Sequence, residues 1–156
     1  PQIAQFPDDL KVKELINMIK NIRKGSKRDP ELIDRFKLQP YLDKRLGNLS
    51  GGTKQKVNLV LAFMYDSPIL ILDEPTTGLD PVSLIHLKEL IKKEKEAGKT
   101  ILITTHIMDF VEAMADKIVF LLEGNIYFKG TVAELKTQSG QEDLEHAIAT
   151  ILEANQ

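Results

Sequence analysis

Ile69-Leu70-Ile71-Leu72 runs directly into Asp73-Glu74-Pro75. The pattern predicts a buried parallel strand that delivers two adjacent carboxylates to the C-terminal edge of a sheet, where open α/β sheets bind ligands. Two acids side by side repel and are costly to desolvate unless a cation or a proton lies between them. Asp73 is placed to hold Mg2+ directly or through water. Glu74, one residue further on and pointing elsewhere, can polarise an attacking water as a general base. Taken alone, these residues also fit a strand-end turn with both carboxylates facing solvent.

Leu49-Ser50-Gly51-Gly52 stands twenty residues before that strand, just ahead of a helical pattern. Consecutive glycines let an anion approach the backbone. Unpaired N–H groups and the positive end of a helix favour a phosphate there, and Ser50 adds a hydroxyl. The alternative is an ordinary serine N-cap with a glycine turn. His106 follows the strand pattern Thr100–Thr104 and is expected at the same sheet edge as Asp73, one strand along. An imidazole there can hydrogen-bond a terminal phosphate or the attacking water; a structural histidine is the alternative. His86 and His146 lie within helices without clustered partners and are read as structural. A phosphate contact, a metal-holding acid and a base together describe half of a nucleotide-hydrolysis site. A Gly-x-x-x-x-Gly-Lys-Ser/Thr phosphate loop is nowhere in the 156 residues.

These groups have to be positioned by a core. Val12, Leu15, Ile16, Ile19 and Ile22 fall at helical spacing, with Asp8 and Asp9 as candidate caps. Gly25-Ser26-Lys27-Arg28 is expected to end that helix, and Asp29-Pro30 to start another with Pro30 at its first position. Lys11, Lys13, Lys20, Arg23, Lys24, Lys27 and Arg28 read as a solvated, mixed-charge helix face. From residue 49 onward the pattern alternates. Helix is expected over 52–65, strand over 69–72, and helix from Pro81 to about 97 with Val82, Leu84, Leu87, Leu90 and Ile91 inward and Gly98 as its stop. Strand follows over 100–104 and a short helix over 108–115. Strands at 117–122 and 126–128 are joined through Glu123-Gly124-Asn125, and helices at 131–137 and 141–153 finish the chain. The last helix carries Leu144, Ala147, Ile148 and Ile151 on one face and reads as packing or a subunit contact. The alternation defines an α/β protein with a parallel sheet and helices on both faces.

The net charge of −2 gives no basic field that argues for nucleic acid. The absence of cysteine excludes disulfides and thiolate metal sites and fits a reducing cytosol. No apolar run approaches the roughly 18 to 20 residues that span a bilayer, and no signal peptide opens the chain. The sequence starts at Pro1-Gln2 without an initiator methionine, so an excerpt of something longer is expected.

Leu49-Ser50-Gly51-Gly52-Thr53-Lys54-Gln55-Lys56 resembles the signature motif of ATP-binding cassette (ABC) transporter ATPases. Ile69–Glu74 is similar to their Walker B strand, Gly78-Leu79-Asp80-Pro81 to the D-loop, and Thr104-Thr105-His106 to the switch-histidine loop. Pro1-Gln2, with Phe6-Pro7 and Leu10-Lys11-Val12, resembles the glutamine loop that opens the helical subdomain. The motifs come in the family's order and spacing, from residue 1 to about 135. Thr53 stands where glutamine is commonest in the family and Lys56 where arginine is common; backbone donors and positive charge survive both departures.

The resemblance implies a partial P-loop NTPase of ABC type: a parallel sheet with flanking helices plus a helical subdomain. Residues 1–48 would be the glutamine loop and helical subdomain, 49–135 the signature, Walker B, D-loop and switch-histidine part of the core, and 136–156 a C-terminal helix. It implies ATP and Mg2+ as ligands. Gln2 would sense the metal and the γ-phosphate and relay to a membrane partner. Asp73 would organise Mg2+, Glu74 would be the catalytic base, and His106 would stabilise the γ-phosphate in the transition state. Ser50, Gly51 and Gly52 would close across a dimer over ATP held by the other subunit, with Gln55 counted among the nucleotide-contacting residues. Asp80 would lie at the dimer centre and couple the two sites. The implied partners are a transmembrane permease subunit and a second ATPase subunit, at the cytoplasmic face of the cell membrane.

The Walker A loop and the aromatic residue that stacks on adenine would precede residue 1, so this chain is expected to be a fragment, inactive alone. In the family's sheet, the phosphate-loop strand lies between the strands at 100–104 and 117–122. A compact monomer without it would have to rearrange, with those two strands paired. A soluble ABC-type ATPase acting on ribosomes or DNA is a second reading. Long coiled coils beside the signature, carried by members that act in DNA repair, are missing from the short segment between Gln2 and Leu49. A non-catalytic binding module is a third reading. Glu74 and His106 speak against it, because a degenerate site would be free to lose them.

Overall fold

The computed structural model describes residues 6–23, 25 and 27–154. They form two compact units, one up to Thr104 and one from Thr105. The division falls inside the segment 49–135 that carries the motifs.

The first unit opens with α1 (Val12–Ile22) and α2 (Asp29–Arg35), followed by short 3-10 turns at Gln39–Tyr41 and Leu46–Asn48. Then come α3 (Gly51–Phe63), β1 (Ile69–Asp73), α4 (Pro81–Glu96) and β2 (Thr100–Thr104). Val12, Leu15 and Ile16 of α1 are buried, as are Leu32 and Ile33 of α2 and Val57, Val60 and Phe63 of α3. The helical spacing of these residues gives each helix the apolar stripe that packs it into the core. Neither Asp8 nor Asp9 caps α1. Lys11 is the N-cap, and the Glu14 carboxylate accepts the Lys11 N–H at 2.9 Å. Pro30 occupies the second helical position rather than the first, because α2 already begins at Asp29.

The cationic residues of this region are not a uniform solvated face. Lys20 pairs with the buried Asp29 carboxylate at 2.7 Å, Arg23 donates to the Ser67 hydroxyl at 2.8 Å, and Arg28 reaches the buried Glu94 of α4 at 2.5 Å. Long side chains here fix α1 and α2 to elements far along the sequence. Lys24 lies outside the described residues.

β1 and β2 pair in parallel, Ile69 with Thr100 through Asp73 with Thr104. Leu70 and Leu72 are buried, whereas Ile71 is 70% and Leu102 57% exposed. One face of this strand pair is therefore covered, where helices on both faces were expected. Val82, expected inward on α4, is exposed as well, while Leu87, Leu90 and Ile91 form its buried stripe.

The second unit contains α5 (Met108–Met114), β3 (Ile118–Leu122), β4 (Asn125–Gly130), α6 (Val132–Ser139) and α7 (Leu144–Glu153). β3 and β4 form an antiparallel hairpin closed by Glu123 and Gly124, with φ of 49° and 80°. Positive φ at both turn positions matches the right-handed twist of paired strands. Phe128, Leu135, Leu144, Ala147 and Ile151 make this unit's own core, so the face predicted for the last helix packs within the chain. β2 pairs with β1 and β3 with β4. The rearranged pairing of 100–104 with 117–122 is not what the described residues adopt.

Candidate functional site

The site is built where α3, β1 and the turn before α4 converge. Ser50 is the N-cap of α3, and the Thr53 N–H donates to its Oγ at 3.2 Å. The Ser50 and Thr53 hydroxyls also hydrogen-bond each other at 2.8 Å. The ordinary capping role of Ser50 is thus present in the chain. It leaves Gly51 and Gly52 at the first two helical positions, whose N–H groups have no intrahelical acceptor. Gly51 is exposed, and a Cβ added there would meet nothing within 4 Å. Gly52 differs: a Cβ there would sit 2.3 Å from the Gly78 carbonyl oxygen.

Asp73 ends β1 with its side chain exposed. The parallel register sets Thr104 beside it, and the Thr104 hydroxyl donates to the Asp73 carboxylate. The pair offers hard oxygen donors at an exposed strand end, the donor chemistry that suits Mg2+. Glu74 is half-buried and has φ of 44°, an uncommon backbone for a non-glycine residue. Its N–H donates to the Thr104 carbonyl at 3.0 Å. Its own carbonyl accepts from the Thr77 N–H at 3.2 Å and from Gln55 Nε2 at 3.3 Å. Gln55 is buried, with its amide turned toward Glu74.

Asp80 caps α4. Its Oδ1 accepts the Ser83 N–H at 2.9 Å, and its Oδ2 accepts the Ser83 hydroxyl at 2.9 Å. Lys56 of α3 reaches the same Oδ2 at 2.5 Å. The Lys56 ammonium, followed by the Ser83 donors, holds the Asp80 carboxyl well below the usual carboxylate range. Lys56 thus spends its charge on tying α3 to the start of α4.

The structure brings Ser50, Gly51, Gly52, Gln55, Asp73, Glu74 and Asp80 into one unit. His106 is exposed and lies in the second unit, two residues ahead of α5. Beside it, the Ile107 N–H donates to the Thr105 hydroxyl at 3.2 Å. Gln2 lies outside the described residues. The sequence reading missed Thr104 as the partner of Asp73, for which equal strand lengths ending in Asp and Thr were the available signal. It also missed the Lys56–Asp80 bond, which only the folded approach of α3 to the N-cap of α4 reveals.

The family model described as ABC transporter matches residues 1–77. The chain is 36% identical over 116 residues to the ABC transporter ATP-binding protein NatA of Bacillus subtilis, covering 74% of this chain and 47% of that protein. It is 35% identical over 117 residues to the daunorubicin/doxorubicin resistance ATP-binding protein DrrA of Streptomyces peucetius, covering 75% and 36% respectively. A solved structure of the ATP binding subunit of an ABC transporter superposes with a TM-score of 0.88 at 30% identity, covering 97% of this chain and 66% of that one. The fold is α/β of the ABC ATPase kind, and the chain belongs to the ABC transporter family of ATP-binding proteins. It spans about half the length of NatA.

Proposed function

We propose that this chain is the signature and hydrolytic part of an ATP-binding, ATP-hydrolysing subunit of an ABC transporter. The observation that carries the reading is the Glu74 backbone, held in a left-handed conformation at the end of β1, directly after the exposed Asp73. A strained non-glycine residue at the carboxyl edge of a parallel strand points to chemistry there.

Asp73, steadied by Thr104, would hold Mg2+, which supplies charge neutralisation of the phosphate oxygens. Glu74 orients a water and takes its proton as that water attacks the terminal phosphorus of ATP, and the bond from that phosphorus to the β–γ bridging oxygen breaks, so that ADP and inorganic phosphate leave. His106 hydrogen-bonds the γ-phosphate, and Gln2 senses it. Gly51 and Gly52, at the start of α3, present N–H donors to the phosphates of ATP bound on a second ATPase subunit, with Ser50 beside them. Asp80 couples the two sites near the dimer centre. The sequence contains no Gly-x-x-x-x-Gly-Lys-Ser/Thr loop. The helical residues up to 48 dock on a transmembrane permease at the cytoplasmic face of the membrane. Among the described residues, no helix is long and apolar enough to cross a membrane.

The test is Glu74→Gln in the full-length protein. ATP turnover should fall about a hundredfold or more, with ATP binding retained. Unchanged turnover would remove Glu74 from the mechanism, and absent turnover in the unsubstituted protein would remove the reading as a whole.

A further inference from the structure

Gln55 is 4% exposed, so its amide is not presented to a ligand at the surface of α3. Its hydrogen-bond partner is a carbonyl, so the nitrogen faces Glu74 and the Oε1 faces the interior. That Oε1 is buried with no hydrogen-bond partner. A buried amide with an orphaned acceptor is a poor stabilising device, since an apolar side chain of the same shape does as well or better. The Glu74 carbonyl also keeps a second donor, the Thr77 N–H. Stability alone gives little reason for a glutamine here.

Glu74 supplies a reason. Its φ of 44° precedes Pro75, whose ring disfavours α-type backbone in the residue before it. Such a conformation persists only where its surroundings over-determine it. The N–H is fixed by β2, and the carbonyl is fixed by the turn and by Gln55. Gln55 is a side-chain anchor of that carbonyl, and it comes from the helix that carries the signature glycines.

We infer that Gln55 is a positioning residue for Glu74: its amide holds the Glu74 peptide so that the carboxylate stays aimed at the attacking water, and it transmits the seating of α3 to that carboxylate. The inference rests on the reading of Glu74 as the base. It replaces direct nucleotide contact as the role of Gln55.

The experiment is steady-state and single-turnover ATP hydrolysis by the full-length protein, with thermal unfolding alongside. Gln55→Met keeps the volume and removes the donor. Its kcat should fall about ten- to a hundredfold, the range that a small misplacement of a reacting group produces. KM for ATP should stay within about twofold, because the reacting geometry and not ground-state binding is disturbed. The unfolding midpoint should hold or rise. On a Glu74→Gln background, Gln55→Met should cause no further loss, since its effect passes through Glu74. A raised KM with unchanged kcat would make Gln55 a nucleotide contact and overturn the inference. An equal loss in both backgrounds, or no loss in either, would overturn it too. Gln55→Leu repeats the test should the Met variant misfold; failure of both to fold would make the role structural. If Glu74→Gln stops turnover while Gln55→Met is silent, only this inference falls. If Glu74→Gln leaves turnover intact, the base assignment falls first and this inference with it.

Discussion

Gly52 packs its Cα against the carbonyl of Gly78 so closely that a Cβ would lie 2.3 Å from the oxygen and 3.3 Å from the carbon. Gly78 itself has φ of 70°, so the turn that presents this carbonyl also favours glycine. The start of α3 and the turn leading to α4 are thus in backbone contact, and the Lys56–Asp80 pair lies one helical turn further along the same seam.

Gly52→Ala should destabilise the fold by about 1–3 kcal/mol, because the obstructing atom is backbone and cannot rotate away. Gly51→Ala is the control. Its Cβ enters open space, and alanine is the better helix former, so its stability should change by no more than about 0.5 kcal/mol either way. Denaturant midpoints of the two variants check this. Equal midpoints would mean that the seam gives way. In ATP turnover the order should change if the proposed site is right, with Gly51→Ala losing activity despite its intact fold, since its methyl would stand where that reading brings phosphate.

Asp80 combines a helix cap with an ion pair, and the two can be separated. Asp80→Ala removes the acceptor of the Ser83 N–H, which should cost about 1 kcal/mol. Asp80→Asn keeps a capping oxygen and loses only the charge opposite Lys56. With the Asp80 side chain 46% exposed, that pair contributes about 0–1 kcal/mol after solvent screening. The Asn variant should therefore melt between wild type and Ala. A turnover defect in Asp80→Asn beyond its small stability loss would support a coupling role across the dimer.

Much of this site is legible in the sequence because its chemistry is local. Asp73, Glu74 and the glycines announce themselves through a run of apolar residues and a strand–turn–helix order. The elements followed the same rule: the strands at Ile69–Asp73 and Thr100–Thr104 and the helix from Pro81 lie where periodicity and capping put them. What periodicity misses is whatever depends on a distant partner. Arg28 and Glu94 are 66 residues apart, and nothing around Arg28 distinguishes it from a solvated helix residue. Val82 has the right residue type for a core position, yet it stands in the first turn of α4 and is exposed. The left-handed backbone at Glu74 is illegible for a different reason. Tertiary anchors impose it against the residue's own preference and that of the following proline.

The second unit has a core of its own, and Leu135 at its centre is fully buried. Leu135→Ala should cost about 2–5 kcal/mol for lost contacts and a residual cavity. Amide hydrogen exchange should show the lost protection confined to residues from 105 onward, as expected when a compact unit opens by itself. Loss of protection extending through α1 and α2 would instead show that the two units unfold as one.

Glu94 gives the fold an acid limit. Its side chain is 4% exposed, with Arg28 at 2.5 Å and Lys99 against its other oxygen; Lys99 in turn holds Asp66 at 2.6 Å. Burial opposes ionisation of Glu94, but the hydrogen bonds from Lys99 and Arg28 outweigh it and hold the carboxyl below its ordinary value of 4.5. A carboxyl depressed in the folded state contributes stability that is complete above the unfolded value and disappears as pH falls through the folded one. The contribution should be constant from neutral pH down to about 4.5 and lost below it. Glu94→Ala leaves two cations facing a buried gap and should cost about 3–5 kcal/mol at pH 7. Glu94→Gln should cost less, and urea midpoints from pH 7 to pH 3 should decline less steeply for it than for wild type. Parallel declines would mean that other carboxylates set the acid limit and that the Arg28–Glu94–Lys99 cluster titrates outside this range.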